Sequence, residues 1–175
     1  VDGGSNDATR KIAKSFHCRI IDNPNVEPLY AKYLGYIHAH GTYITYVDHD
    51  EVLVNTDSIK RKVEVLKKNP HIKAAVAAGY RTPSGYHAIN RYVNEFGDPF
   101  SFFMYRLSKS VDFFIKTMRR RYPIVSDTKE VIVFDLSGSA SITLIELAAG
   151  GGMIDGQFYK KEFPEIKQKY HLIPH

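Results

Sequence analysis

An apolar run from Tyr43 to Val47 leads directly into Asp48, His49, Asp50 and Glu51, and this junction constrains the fold more than any other stretch of the chain. A buried strand that ends in carboxylates presents hard oxygen ligands at its carboxyl end, the edge at which open α/β sheets bind their ligands. If the strand continues through the acidic residues, alternation puts Asp48 and Asp50 on one side and His49 on the other. Two carboxylates could then share one divalent cation with a phosphate group. An Asp-x-Asp triplet is common by itself, so the rest of the chain has to support the reading.

The segments around this strand alternate in type. A glycine-rich turn, Val1 to Asp7, opens the sequence and is of the kind that normally follows a strand. Ala8, Ile12, Ala13 and Phe16 then recur at helical spacing, with Ser5, Asn6 or Asp7 available as the cap. Cys18 to Ile21 reads as a short strand closing at Asp22, Asn23 and Pro24. A second helix is expected from about Pro28, turning Leu29, Tyr33, Tyr36 and Ile37 inward and stopped by Gly41. After the acidic strand, Thr56 or Asp57 can cap a third helix with Ile59, Val63 and Leu66 on one face, ending near Pro70. Ile72 to Tyr80 reads as another strand. Strands alternating with helices in this way predict an α/β three-layer sandwich around a central, mostly parallel mixed sheet.

The second half has a different texture. Phe100, Phe103, Met104, Leu107, Val111, Phe114, Ile115 and Met118 form a long helical stripe accompanied by Arg106, Lys109, Lys116, Arg119, Arg120 and Arg121. Such a helix can lie in a membrane interface with its rings buried and its cations on anionic headgroups. It can equally be a core helix with a solvated basic face. Glu130 to Phe134 and Ile142 to Leu147 return as strand-like segments.

Composition narrows the class. With 175 residues, 43% of them hydrophobic and 25% charged, the chain suits one ordinary globular domain rather than a disordered segment. A formal charge of +5 suits an anionic partner or a lysine-rich solvated surface. Cys18 is the only cysteine and no run of about 18 apolar residues occurs. The expected location is therefore the cytoplasm, including the cytoplasmic face of a membrane. Gly150 to Gly156 lacks the Lys-Ser/Thr ending of a phosphate loop, and Arg119 to Arg121 stand without any RNA-binding signature, so no nucleic-acid partner is expected.

Four elements taken in order resemble the family 2 inverting glycosyltransferases: Val1-Asp2-Gly3-Gly4-Ser5-Asn6-Asp7-Ala8-Thr9, Asn23-Pro24, Ala39-His40-Gly41-Thr42-Tyr43-Ile44, and Val47-Asp48-His49-Asp50. The resemblance is clearest over residues 1 to 80. It extends less strongly to Asn90-Arg91-Tyr92 and Asp98-Pro99-Phe100. It implies a nucleotide-diphospho-sugar transferase (GT-A-like) fold over 1–175, with 1–86 as the nucleotide-sugar-binding half and 87–175 as an incomplete acceptor-side half. Family members carry a strand 30 to 40 residues upstream of the glycine-rich turn, so the resemblance implies a fragment lacking it.

The resemblance further implies a nucleotide-diphospho-sugar donor, a glycan or lipid acceptor, and Mg²⁺ or Mn²⁺ as cofactor. By similarity Asp2 would contact the nucleobase or ribose, Asp48 the ribose or the metal shell, and Asp50 the metal that bridges the diphosphate. Lys32 stands where related enzymes have a basic residue near the nucleotide, although Tyr33 replaces the asparagine common beside it. An inverting mechanism needs one carboxylate as general base. Glu162 lies about where the family places that base, downstream of the glycine-rich segment 150–156, with Asp155 and Glu165 as competitors. The alternative is a non-catalytic sugar-nucleotide or membrane-surface binding module that kept the fold without the base.

Overall fold

The computed structural model describes residues 1–79, 82–96, 103, 110–138 and 152–167. These fall into two compact units. One draws on the described residues of Val1–Tyr46, Val54–Ala75 and Met153–His175, the other on those of Val47–Leu53 and Val76–Gly152.

In the first unit, helix α1 covers Thr9–Ser15 and α2 covers Pro28–His38. Asp7 Oδ1 accepts the Thr9 N–H at 2.9 Å, which satisfies one orphan donor of the first turn. Proline opens α2, where its missing N–H costs nothing, and the Glu27 carboxylate accepts from both Leu29 N and Tyr30 N at 2.9 and 2.7 Å. Leu29, Tyr33, Tyr36 and Ile37 turn inward as their spacing predicts, and Leu34 is buried with Tyr36. They meet strand β1, Tyr43–Thr45, whose middle residue Ile44 is buried. Burying a side chain of this size is worth about 1.5–3 kcal/mol. Helix α3, Ser58–Lys68, buries Leu66 but leaves Ile59 exposed, so the expected apolar face is narrower than the spacing suggested. Asp57 pairs with Arg61 at 2.5 Å instead of capping a backbone N–H.

Strand β2 is only Ala74–Ala75, shorter than the 72–80 strand expected; Tyr80 lies outside the described residues. The sheet is completed by Met153–Asp155, which bonds antiparallel to β1 on one side and to β2 on the other. β1 and β2 therefore run the same way but do not touch. The only parallel pairing among the described residues is the bridge between Asp2 and Asp22, through Asp2 N to Ile21 O and Asn23 N to Asp2 O, each 2.8 Å. The chain is thus mixed α/β, and its ladders are antiparallel where a mostly parallel sheet was expected. The physical reason is that the central strand comes from residue 153 onward and enters from the opposite direction.

In the second unit, helix α4 covers Ala88–Phe96 and α5 covers Val111–Arg121. Strands β3, Ile124–Asp127, and β4, Ile132–Phe134, pair antiparallel after α5; the strand Met153–Asp155 of the first unit is accordingly β5. Of the long helix expected through 100–118, Phe103 is helical and Val111–Arg121 forms α5. Ser110 is the N-cap of α5, extended and accepting from Phe113 N. Phe100, Met104 and Leu107 lie outside the described residues, as does the expected strand 142–147. Phe114 and Met118 pack with Tyr122, Phe134 and Leu136. That part of the aromatic stripe is core and faces away from solvent. Among the described residues no helix is long and apolar enough to cross a membrane.

Candidate active site

The glycine-rich opening is organised by one carboxylate. Asp2 Oδ2 accepts Gly4 N at 3.1 Å, Ser5 N at 3.2 Å and Arg10 Nη1 at 2.8 Å, while Oδ1 accepts the Ser5 hydroxyl. Gly4 sits at φ +99, a conformation that suits a residue without Cβ. The Ser5 hydroxyl first, then Arg10 and the backbone N–H groups, hold the Asp2 carboxyl down to about 2. Arg10 also reaches Asp22 Oδ1 at 2.6 Å, tying α1 to both residues of the parallel bridge. Sequence reasoning missed this role for Arg10. Its signal was a cation eight residues after Asp2 on the helix that the turn opens.

A second turn lies against the first. Asn23, buried, donates from Nδ2 to Glu27 O at 3.0 Å and accepts Asn25 N at 3.1 Å. This turn holds Val26 at φ 57, a strained setting for a β-branched residue. A Cβ on Gly3 would lie 3.5 Å from Val26 Cγ1, and one on Gly35 of α2 would lie 3.7 Å from Val1 Cγ2. The Asp2 loop, the Asn23 turn and α2 therefore form one packed group. Lys32, partly buried, is on that helix.

The acidic residues do not continue β1. That strand ends at Thr45, and Asp48 to Glu51 form a tight turn in which Glu51 N donates to Asp48 O at 3.0 Å and Asp48 N donates to Glu51 Oε2 at 3.1 Å. The strand alternation expected for Asp48 and Asp50 is thus replaced by turn geometry. Aspartate at the first position of a turn is favoured, and consecutive carboxylates repel less in a solvated turn than in a ladder. Asp48 and Asp50 are exposed; Glu51 is half-buried and supports the Asp48 backbone. Asp2 and Lys32 belong to the first unit and Asp48 and Asp50 to the second.

The chemistry of the donor set fits Mg²⁺ or Mn²⁺. These ions take one or two carboxylates and fill their remaining positions with water and phosphate oxygens. Asp48 and Asp50 offer oxygen donors two residues apart in one turn. Among the described residues no group of three or more His, Cys, Asp or Glu side chains is placed to hold a metal ion.

The three candidate bases differ in setting. Asp155 caps helix α6, Gly156–Glu162, by accepting Phe158 N at 3.0 Å, and its other oxygen takes Lys73 Nζ at 3.2 Å. The Phe158 N–H and then Lys73 lower its pKa. It is thus held in a structural cap at the end of β5 that pairs with Tyr43. Glu165 lies in the 3₁₀ turn Pro164–Lys167. Glu162 ends α6 with its side chain about half exposed and Lys161 at 3.6 Å.

The sequence model of glycosyl transferase family 2 matches residues 1–128 of the 175. The chain belongs to glycosyl transferase family 2. No curated protein and no solved structure is significantly similar to it. The match covers the Asp2 loop, the Asn23 turn, α2 and the acidic turn, and stops before β4, β5 and α6. Family membership establishes glycosyl transfer as the general activity and a sugar donor and acceptor as the substrates. It does not reach Asp155, Glu162 or Glu165.

Proposed function

We propose that this family 2 transferase moves a sugar from a nucleotide-diphosphate donor to an acceptor hydroxyl or lipid phosphate with inversion, using Mg²⁺ or Mn²⁺ at the Asp48–Asp50 turn. The observation that carries the reading is the pair of exposed carboxylates in a single turn directly after β1, inside the matched region. Departure of the diphosphate leaves negative charge on a phosphate oxygen, and a bound divalent cation would neutralise that charge as it forms. Asp50 would hold the cation and Asp48 would share it or meet the ribose. Glu51 keeps the turn in shape through the Asp48 N–H.

Asp2 would meet the nucleoside with the lone pairs left over from Gly4, Ser5 and Arg10, which together fix its carboxylate as an anion. Lys32 would supply positive charge near the nucleotide. The fold that supports this assignment is the nucleotide-diphospho-sugar transferase fold implied by family membership.

Inversion requires a base to take the acceptor's proton as the hydroxyl attacks in line opposite the leaving group. Glu162 suits this role better than Asp155, because Asp155 is already committed to the α6 cap and to Lys73. The test is nucleoside diphosphate release with acceptor present. Glu162→Gln should lower turnover by about 100- to 10,000-fold while nucleotide affinity is retained. Unchanged turnover would assign the proton to another residue. Donor binding without release by the wild type on any acceptor would favour a binding module that kept the fold.

A further inference from the structure

We propose that Arg10 is a positioning residue for the donor nucleoside: from its anchorage on Asp22 it fixes the direction in which the Asp2 carboxylate meets the ligand. The inference rests on the reading of Asp2 as the nucleoside's contact. The three side chains meet at one atom. Arg10 Nη1 donates to Asp2 Oδ2 at 2.8 Å and to Asp22 Oδ1 at 2.6 Å. The backbones around the two aspartates are joined as well, through Asp2 N to Ile21 O and Asn23 N to Asp2 O. Asp2 and Asp22 are thus tied twice, once by the main chain and once through the guanidinium.

An aspartate carboxylate turns about a broad, roughly two-fold torsion, so its direction has to be set by the donors around it. Gly4 N and Ser5 N reach Oδ2 at 3.1 and 3.2 Å, and the Ser5 hydroxyl takes Oδ1. These donors belong to the same loop as Asp2, so they hold the carboxylate only relative to that loop. Arg10 stands on α1. Among the described residues it is the one donor to this carboxylate from outside the loop, and its bond to Oδ2 is the shortest of the three. Arg10 therefore references the carboxylate to α1 and, through Asp22, to the end of the segment that pairs with Asp2.

Stability alone does not account for the arrangement. The Asp22 side chain is 77% exposed and that of Arg10 36%, and an ion pair so well solvated adds little to folding. Asp2, by contrast, is only 11% exposed. With most of that side chain covered, a ligand can reach the carboxylate from few directions, and a rotated carboxylate would turn its remaining lone pairs away. A binding group held in place before the ligand arrives spares the cost of ordering it on binding. Immobilising one side chain in this way is worth about 2- to 10-fold in affinity.

The test is calorimetric titration of the full chain with UDP, GDP, CDP and ADP in Mn²⁺, and with inorganic pyrophosphate in Mn²⁺ as a probe that lacks the nucleoside. For the nucleotide that the parent binds best, Asp2→Asn should weaken binding by about tenfold or more, and Arg10→Gln by about 2- to 10-fold. Pyrophosphate should bind Arg10→Gln as it binds the parent. In the Asp2→Asn background Arg10→Gln should cost nothing further. Should circular dichroism show that Arg10→Gln does not fold, Asp22→Asn, at the exposed end of the contact, is read in its place against the same expectations. Nucleotide affinity equal to the parent's, an equal loss of pyrophosphate, or a loss that persists undiminished in the Asp2→Asn background would overturn the inference while leaving Asp2 in the site. A parent that binds none of the four nucleotides, or an affinity untouched by Asp2→Asn, would instead remove the reading of Asp2 and this inference with it.

Discussion

Gly156 is the residue whose replacement should most directly expose how β1, β5 and α6 are packed. It opens α6, is buried, and donates its N–H to Thr42 O at 2.9 Å. A Cβ at this position would lie 2.8 Å from both Cδ1 and Cγ1 of Ile44 and 3.3 Å from Thr42 O. Carbon atoms in good contact are about 3.5–4.0 Å apart, so the added methyl must displace Ile44 or the strand. Ile44 has little room to move, because it is buried among Tyr36 and Ile166 and sits opposite Ile154 on β5.

Overpacking of this kind costs about 1–3 kcal/mol. Alanine recovers at most about 1 kcal/mol through helix propensity. Gly156→Ala should therefore destabilise the first unit by a net amount of about 1–2 kcal/mol, read as a lower urea midpoint at unchanged slope. Ile44→Ala removes both clashing atoms and should itself cost about 2–5 kcal/mol. In that background Gly156→Ala should cost nothing, giving a coupling of about 1–2 kcal/mol. A Gly156→Ala protein as stable as the parent, or one that loses the same amount in both backgrounds, would refute the packing argument.

Two further predictions concern buried or anchored polar groups. Asp2 lies near 2 in the folded chain against an ordinary value of 3.8, so its stabilisation is fully present above about pH 4 and is lost as pH falls through about 2. Asp2→Asn should flatten the fall in melting temperature between pH 4 and pH 2, and an unaltered profile would show that Ser5 and Arg10 do not hold the carboxylate in solution. The hydroxyls of Tyr36 and Tyr46 are buried with no hydrogen-bond partner among the described residues, and burial raises the pKa of both. Tyr46→Phe should therefore be no less stable than the parent and up to about 1–3 kcal/mol more stable; a loss above 1 kcal/mol would mean that the hydroxyl is bonded in the folded protein.

Much of the first unit could be read from residue spacing. The inward face of α2, the burial of Ile44 and the start at Pro28 follow from local rules, because helix periodicity and proline chemistry act within a few residues. Strand direction was not legible. β5 inserts between β1 and β2 from more than seventy residues beyond β2, and no local pattern marks which way a three-residue strand will enter a sheet. The acidic turn shows the same limit at smaller scale: Asp48 and Asp50 were found by their spacing after an apolar run, but the strand ends at Thr45 and the bonds between Asp48 and Glu51 fold them into a turn. Asp155 illustrates a third case. A carboxylate after a glycine-rich segment reads as a candidate base until the Phe158 N–H and Lys73 show it to be a helix cap. Arg10 became visible only when tertiary contacts showed which carboxylates it pairs with.

The central claim is that the Asp48–Asp50 turn binds the donor diphosphate through a divalent cation. The most direct measurement is calorimetric titration of the full-length protein and its Asp50→Ala variant with a panel of nucleoside diphosphates, each with and without Mn²⁺. The account predicts that one nucleotide binds only when Mn²⁺ is present and that Asp50→Ala abolishes this binding while the protein remains folded. Binding that is indifferent to Mn²⁺, or that survives Asp50→Ala unchanged, would contradict it.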